Sequence, residues 1–402
     1  MHEANLRNAG AVRPDDSDNA RVDAGHDAKR LQPDVSGNGR RAVWPQFSRL
    51  DGVVPAAGSA NETARPVSGG RQHASGTGRT DGGAVGSDGG SEPDRGFRFD
   101  RIVPKNGYAW WYVDALSDDG KQGITLIAFV GSVFSPYYAF ARRRGDADPL
   151  DHCALNVALY RNNNKRWAMT ERRRRAINRS ETEFVVGPSR VNWNGETLTF
   201  EIDEITSPLP SRLRGIVRVH PSALTDEAFA LDAAGHHRWR PIAPRARVEV
   251  DFRQPGTSWR GHGYFDFNCG DAPLEQDFSG WQWSRANRSD ATVICYDTSA
   301  RRGGDTRLAL RFDRAGAVNH LEPLSSTELP PTGWRIARTA HGDAQQAIAV
   351  KRTLEDAPFY ARSQLTATLF GEATDVMHES LSLDRFRMPI VQAMLPFRMP
   401  RR

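Results

Sequence analysis

The run Gly263-Tyr264-Phe265-Asp266-Phe267-Asn268 sets a carboxyl among aromatic side chains. In a strand, successive side chains point to opposite faces. Tyr264, Asp266 and Asn268 then share one face, and Phe265 and Phe267 the other. If the phenylalanines fill a core, the opposite face is a polar and aromatic row centred on Asp266. His237-Arg238-Trp239 places His237 and Trp239 together in the same way, and Trp281-Gln282-Trp283 does so for two indoles. Each motif alone reads more readily as a hydrogen-bonded aspartate or a core tryptophan. Their combination points to chemistry, because a carboxyl boxed by apolar rings has a raised pKa. An ordinary Asp is protonated only about once in a thousand molecules at pH 7, so keeping it neutral costs about 4 kcal/mol unless burial removes that cost. A neutral acid in such a box can protonate a weakly basic carbon. Each desolvated Trp or Tyr face adds about 2 kcal/mol of attraction for the cation that forms. The same rings suit a long apolar substrate.

Strands must position these residues. Val191–Asp203 contains Asn194-Gly195, which predicts a two-residue hairpin turn, and beyond it Leu198, Phe200 and Ile202 alternate with polar residues. Arg247–Phe252 and Arg307–Phe312 alternate likewise, the latter leading through Ala315-Gly316 into another hairpin. Further short runs lie at Ala154–Tyr160, Gly215–His220, Thr292–Asp297, Gly333–Thr339 and Ala347–Thr353. Many short strands predict an all-β sandwich or barrel rather than a doubly wound α/β fold. Helix is expected only at Leu224–Ala234 and Ser380–Phe386. A break is read at Arg253–Thr257. Each side of it carries an aromatic strand with an aromatic two residues before an aspartate, Tyr112/Asp114 and Tyr264/Asp266. That pattern suggests a weak internal duplication and two antiparallel β-barrels.

Composition limits the alternatives. The chain has 402 residues and a formal net charge of +5. Residues 1–95 hold 15 of the 36 glycines but only two of the aromatics, Trp44 and Phe47. Such a segment cannot bury enough apolar surface to offset the entropy of ordering, so a disordered leader is expected over residues 1–95. Ile124–Phe134 is too short to span a bilayer as a helix, and no basic segment leads into an apolar signal region. Cys153, Cys269 and Cys295 form no CxxC pair, which suggests reduced thiols and a cytoplasmic setting. No Walker loop, dinucleotide fingerprint or HExxH motif is present. His152, His236, His237 and His262 show no metal-ligand spacing. The run Arg172–Arg175 lacks any accompanying nucleic-acid motif and reads as a solvated loop, one that could touch anionic lipid. No nucleic-acid partner is expected.

Several blocks together resemble the carotenoid 1,2-hydratases, also called hydroxyneurosporene synthases. They are Ala109–Asp114, Ile127–Tyr138, His152–Tyr160, Arg166–Arg172 and Gly261–Asp266, and the similarity extends over about residues 97 to 400. The resemblance implies cofactor-independent addition of water to the terminal C1=C2 double bond of acyclic carotenoids such as neurosporene and lycopene. The products are the 1-hydroxy carotenoids of the spheroidene and spirilloxanthin routes. It also implies two lipocalin-like barrels, taken here as 96–255 and 256–402. The family's catalytic residues map to His237, Trp239, Tyr264 and Asp266, with His236 leaving the choice of histidine open. Trp110, Trp111, Tyr112, Trp281 and Trp283 are the expected substrate-binding aromatics. A substrate dissolved in bilayers implies peripheral association with the inner or photosynthetic membrane, and the Met-, Phe- and Arg-rich C-terminus is a candidate contact. The competing expectation is a non-catalytic carotenoid or lipid carrier, which needs the apolar pocket but no acid.

Overall fold

A computed structural model describes residues 98–161 and 164–402 of the chain. The leader expected over 1–95 lies outside the described residues. Beyond it, period-two alternation produces the strands β1 (Tyr108–Ser117), β2 (Gln122–Val130), β3 (Cys153–Arg161), β4 (Asn164–Arg172), β5 (Ile177–Arg179), β6 (Glu183–Val186), β7 (Ser189–Trp193), β8 (Leu198–Ile205), β9 (Arg212–Pro221), β10 (Phe229–Ala230), β11 (His237–Gln254) and β12 (Thr257–Gly270). These form one antiparallel sheet in the order β4-β3-β2-β1-β12-β11-β9-β8-β7-β6-β5, with β10 beside β11. The sheet curls until β4 lies against β8, giving a near-closed barrel. A second set follows: β13 (Phe278–Asn287), β14 (Ala291–Ala300), β15 (Thr306–Asp313), β16 (Val318–His320), β17 (Ser325–Leu329), β18 (Arg338–Gly342), β19 (Ala349–Asp356), β20 (Tyr360–Leu369) and β21 (Glu372–Ser382). Seven of them form the sheet β16-β15-β14-β13-β21-β20-β19, while β17 and β18 make a separate hairpin. The fold is all-β with little helix, as the alternation predicts.

Three apolar clusters organise these layers. The barrel interior holds Trp111, Phe184, Phe200, Phe265 and Phe267 among others. A second cluster joins Tyr108, Trp110, Tyr112, Trp239 and Tyr264 of the first sheet to Trp281, Trp283 and Tyr296 of the second. The third lies between the second sheet and the β17–β18 hairpin. The middle cluster matters most, because it brings two sheets face to face over the polar row of β12.

Several local expectations change. Arg253–Thr257 is the turn of the β11–β12 hairpin rather than a break, and the first sheet continues to Gly270. The two aromatic–aspartate pairs do not mark a repeat. β1 and β12 are antiparallel neighbours, with Tyr112 opposite Asp266 and Asp114 opposite Tyr264. Asn194-Gly195 sits in a longer loop that closes with Trp193 opposite Leu198. There Asn194 Oδ1 accepts from the backbone N–H groups of Glu196 and Thr197, which holds the wider turn.

Leu224–Ala234 is not helical. Phe229 instead pairs with Trp239 across β10–β11, and the Asp232 carboxylate accepts from the backbone of Ala234, His236 and His237. The expected helix at Ser380–Phe386 is displaced to α3 (Leu383–Arg387), which follows β21 and is capped by Ser382. Upstream, α1 (Pro136–Arg144) starts where Ser135 Oγ accepts from the N–H groups of Tyr137 and Tyr138. The short α2 (Leu274–Asp277) precedes β13, and α4 (Pro389–Met394) follows α3. Arg172, the first residue of the arginine run, is not solvated: it is buried against Glu204 at 3.0 Å. Among the described residues, no helix is long and apolar enough to cross a membrane.

Candidate active site

Three adjacent strands build the site. On one face, β1 contributes Tyr108, Trp110, Tyr112 and Asp114, which lie opposite Gly270, Asn268, Asp266 and Tyr264 of β12. β11 adds His237 opposite Gly270 and Trp239 opposite Asn268. Phe265 and Phe267 turn into the barrel, so the alternation of β12 separates the apolar and polar rows as expected. Gly270 lets the edge of the site close. A Cβ there would meet the Tyr108 ring at 2.4 Å and His237 Nδ1 at 2.6 Å.

Asp266 is 4% exposed, and its hydrogen-bond partners are neutral donors. Tyr264 Oη donates to Oδ2 at 2.8 Å, and the Trp239 indole N–H donates to the same oxygen at 2.9 Å. Asn268 Nδ2 donates to Oδ1 at 3.0 Å. Burial pushes the carboxyl up to about 8. The two donors to Oδ2 pull it down, and the negative charges of Glu379 and Asp114 add to the rise. At neutral pH the carboxyl is then held mostly in its protonated form. Because Oδ2 accepts two hydrogen bonds, Oδ1 is the oxygen left to carry that proton. Asn268 Oδ1 is buried without a partner. Turning its amide by half a rotation presents that oxygen to Asp266, so Asn268 can face either protonation state.

Of the histidine doublet, His237 turns inward and is fully buried, while the His236 side chain is 50% exposed. His237 Nε2 lies 2.9 Å from Asp277 Oδ2, and Nδ1 lies 2.9 Å from Tyr108 Oη. Desolvation lowers its pKa, opposed by the hydrogen bond to Asp277, so the ring is neutral at pH 7. The consistent tautomer has Nε2–H donating to Asp277 while Nδ1 accepts from the Tyr108 hydroxyl. His237 therefore belongs to a line Tyr108–His237–Asp277, beside the Asp266 cluster rather than within its hydrogen bonds.

A charged group adjoins the neutral one. Asp114 Oδ2 accepts from Arg285 Nη2 at 3.0 Å and Arg362 Nη2 at 2.8 Å. Arg362 also bonds Glu379 and Tyr112, and Tyr112 Oη donates to Glu379 at 2.7 Å. The Arg285 guanidinium lies 5.6 Å from the Tyr264 ring centroid. Asp114 and Tyr112 come from the first sheet, and Arg285, Arg362 and Glu379 from the second. This cluster ties the two sheets together around the aromatic row.

The expected substrate aromatics divide. Trp110 and Tyr112 face the site; Trp283 covers it at 5.3 Å from Tyr264 and 5.9 Å from Tyr112. Trp281 packs near Phe134, at 6.3 Å. Trp111 leaves the set, because the strand alternation turns it into the barrel between Phe99, Phe184 and Phe267. Tyr108, Asp277, Arg285, Arg362 and Glu379 escaped the sequence reading. Tyr108 alone carried a usable signal, its two-residue spacing from Trp110 and Tyr112.

The chemistry this geometry permits is protonation of an apolar substrate by a neutral carboxyl walled with aromatic rings. Comparison with known proteins places the chain in a family. The family model described as carotenoid hydratase CrtC matches residues 126–402. The chain belongs to the carotenoid hydratase family. An acyclic carotenoid 1,2-hydratase of Thiocapsa roseopersicina is 50% identical over 100% of this chain and 99% of its own length. The Rubrivivax gelatinosus protein of the same name is 47% identical over 94% of this chain and 93% of its own. The solved structure of CghA with Sch210972 is 11% identical, with a TM-score of 0.48 over 72% of this chain and 95% of that one. At the level of the carotenoid hydratase family, the chain is thus an enzyme of carotenoid hydration. Among the described residues, no three His, Cys, Asp or Glu side chains are grouped to hold a metal ion.

Proposed function

We propose that this protein is an acyclic carotenoid 1,2-hydratase that adds water across the terminal C1=C2 bond of substrates such as neurosporene or lycopene, with no cofactor. The observation that carries the reading is Asp266: a buried carboxyl served only by neutral donors, pushed up to about 8 among aromatic rings. Asp266 Oδ1 gives its proton to C2, and the former π electrons form the new C–H bond. The positive charge rests on tertiary C1, facing the rings of Trp110, Tyr112 and Trp283. Trp239 and Tyr264, with N–H and O–H on Oδ2, orient the acid and stabilise the carboxylate it becomes. Water oxygen bonds to C1 and sheds one proton along Tyr108–His237–Asp277, whose outer carboxylate is about one-third exposed (32%). Asp266 regains a proton from solvent, so the cycle consumes only water. His237 and Tyr108 act as the relay, and His237, Trp239, Tyr264 and Asp266 are the catalytic set with Asn268 as a positioning residue. A carotenoid dissolved in lipid requires the protein to work at a membrane surface as a peripheral enzyme.

Incubation of the purified chain with detergent-dispersed lycopene in heavy-oxygen water tests the reading. The expected result is labelled oxygen in a 1-hydroxy product with no added cofactor. Stoichiometric pigment binding without product would make the protein a carrier instead.

A further inference from the structure

The C-terminal segment carries apolar residues on two sides. Val391, Leu395 and Met399, spaced four apart, are buried in the same cluster as Trp239 and Tyr264, together with Leu383 and Phe386 of α3. That spacing is one face of a helix. Ile390 and Phe397 are spaced seven apart on the outer face, and they are 65% and 77% exposed. Backbone of helical sign continues through Met394, Leu395 and Arg398, so the two faces belong to one helical run. Between Pro389 and Phe397 there is no charged residue. The flanks are basic, and Arg387 and Arg402 are exposed there, while Arg385 donates to the Trp334 and Pro358 carbonyls, Arg398 lies over the Trp167 ring and Arg401 pairs with Asp151 and Glu171. Next to the run, Ser207 Oγ donates to the Phe397 carbonyl at 2.8 Å, and two residues on, Leu209 is 78% exposed.

An exposed apolar helix face flanked by the exposed Arg387 and Arg402 matches the interface of an anionic bilayer, where apolar side chains enter the acyl boundary and guanidiniums meet phosphates. The inner side of the same segment leads toward the acid. Phe386 lies 6.2 Å from Phe134, and Phe134 lies 6.4 Å from Trp110, whose backbone partner on β12 is Asn268. We propose that the outer face of residues 385–402 docks the protein on an anionic lipid bilayer, and that the end of an acyclic polyene enters beneath it along Phe386, Phe134 and Trp110. The entry route rests on the hydratase reading; the docking surface does not.

The test uses the full chain and the double variant Ile390→Asp/Phe397→Asp, which touches none of the site residues. Sedimentation with phosphatidylglycerol-containing vesicles should show binding that the variant weakens by about tenfold or more, and pure phosphatidylcholine vesicles should bind the wild type less. Turnover of lycopene in detergent should be equal in the two proteins, which also reports an intact fold, while turnover from lycopene-loaded vesicles should fall with binding. Equal vesicle binding by wild type and variant, or no preference for anionic lipid, overturns the docking surface. Undiminished vesicle turnover after binding is lost overturns the entry route. Absence of product in detergent from both proteins overturns the hydratase reading, and vesicle binding still decides the docking surface.

Discussion

Two aspartates on the same face of neighbouring strands meet opposite surroundings. Asp114 on β1 and Asp266 on β12 are both buried, and Tyr264 stands opposite the first and Tyr112 opposite the second. Asp114 receives guanidinium groups from Arg285 and Arg362. Asp266 receives a phenol, an indole and an amide. A buried carboxyl facing guanidiniums is an ion-pair partner, and here it joins two sheets. A buried carboxyl facing only neutral donors keeps its proton, because no nearby cation compensates the desolvation of its charged form. Identical residue types one strand apart thus become a structural anchor and the proposed acid. The nearby charged cluster still reaches the acid, since Asp114 and Glu379 both raise its pKa.

The largest test of that contrast is Asp266→Asn. The amide keeps the shape and the acceptor for Tyr264 and Trp239 but has no acidic proton, so hydration should fall by about a thousandfold or more. Turnover near the wild-type rate would remove Asp266 as the acid. The same variant separates the two aspartates by stability. A carboxyl whose folded pKa lies above its unfolded value contributes fully below about pH 4, and that contribution is lost as pH rises to about 8, at about 1.4 kcal/mol per pH unit. Denaturant titrations across that window should show a flatter pH dependence for Asp266→Asn than for wild type.

Next in size is Arg362→Met. It strips one guanidinium from Asp114 and the one that bonds Glu379, leaving buried charge poorly matched, at a cost of about 3–5 kcal/mol in unfolding free energy. The uncompensated negative charge should also move the alkaline limit of hydration, expected near pH 8 in wild type, to higher pH. An unchanged limit would show that the charged cluster and the acid are electrostatically independent. The smallest expected effect is that of Trp239→Phe. It keeps an aromatic ring and removes one N–H donor to the carboxylate, so the alkaline limit should rise by about one to two pH units. A limit that stays fixed or falls in the pH–rate profile would contradict the role of Trp239 as a donor to Asp266.

Legibility followed the length scale of each cause. The polar row Tyr264, Asp266, Asn268 and the apolar row Phe265, Phe267 were readable because strand alternation is a property of the local backbone. The same rule, applied to Trp110-Trp111-Tyr112, would have set Trp111 apart from its neighbours. Leu224–Ala234 misled because its helical composition was outweighed by pairing of Phe229 with Trp239 and by the three N–H groups gathered by Asp232. The paired Tyr112/Asp114 and Tyr264/Asp266 motifs looked like a repeat and proved to be partners across one ladder.

By itself, the sequence determined the strand-rich class, the family and the order of side chains along β11 and β12, since each depends on local pattern or on extended similarity of residues. Tertiary structure alone decided which carboxyl keeps its proton and so became the proposed acid. Neutral donors reach Asp266 from β11 and β12, while the guanidiniums on Asp114 arrive from Arg285 and Arg362 in the second sheet. Those distant partners set the local field, and the field, rather than residue type, decides where a proton stays.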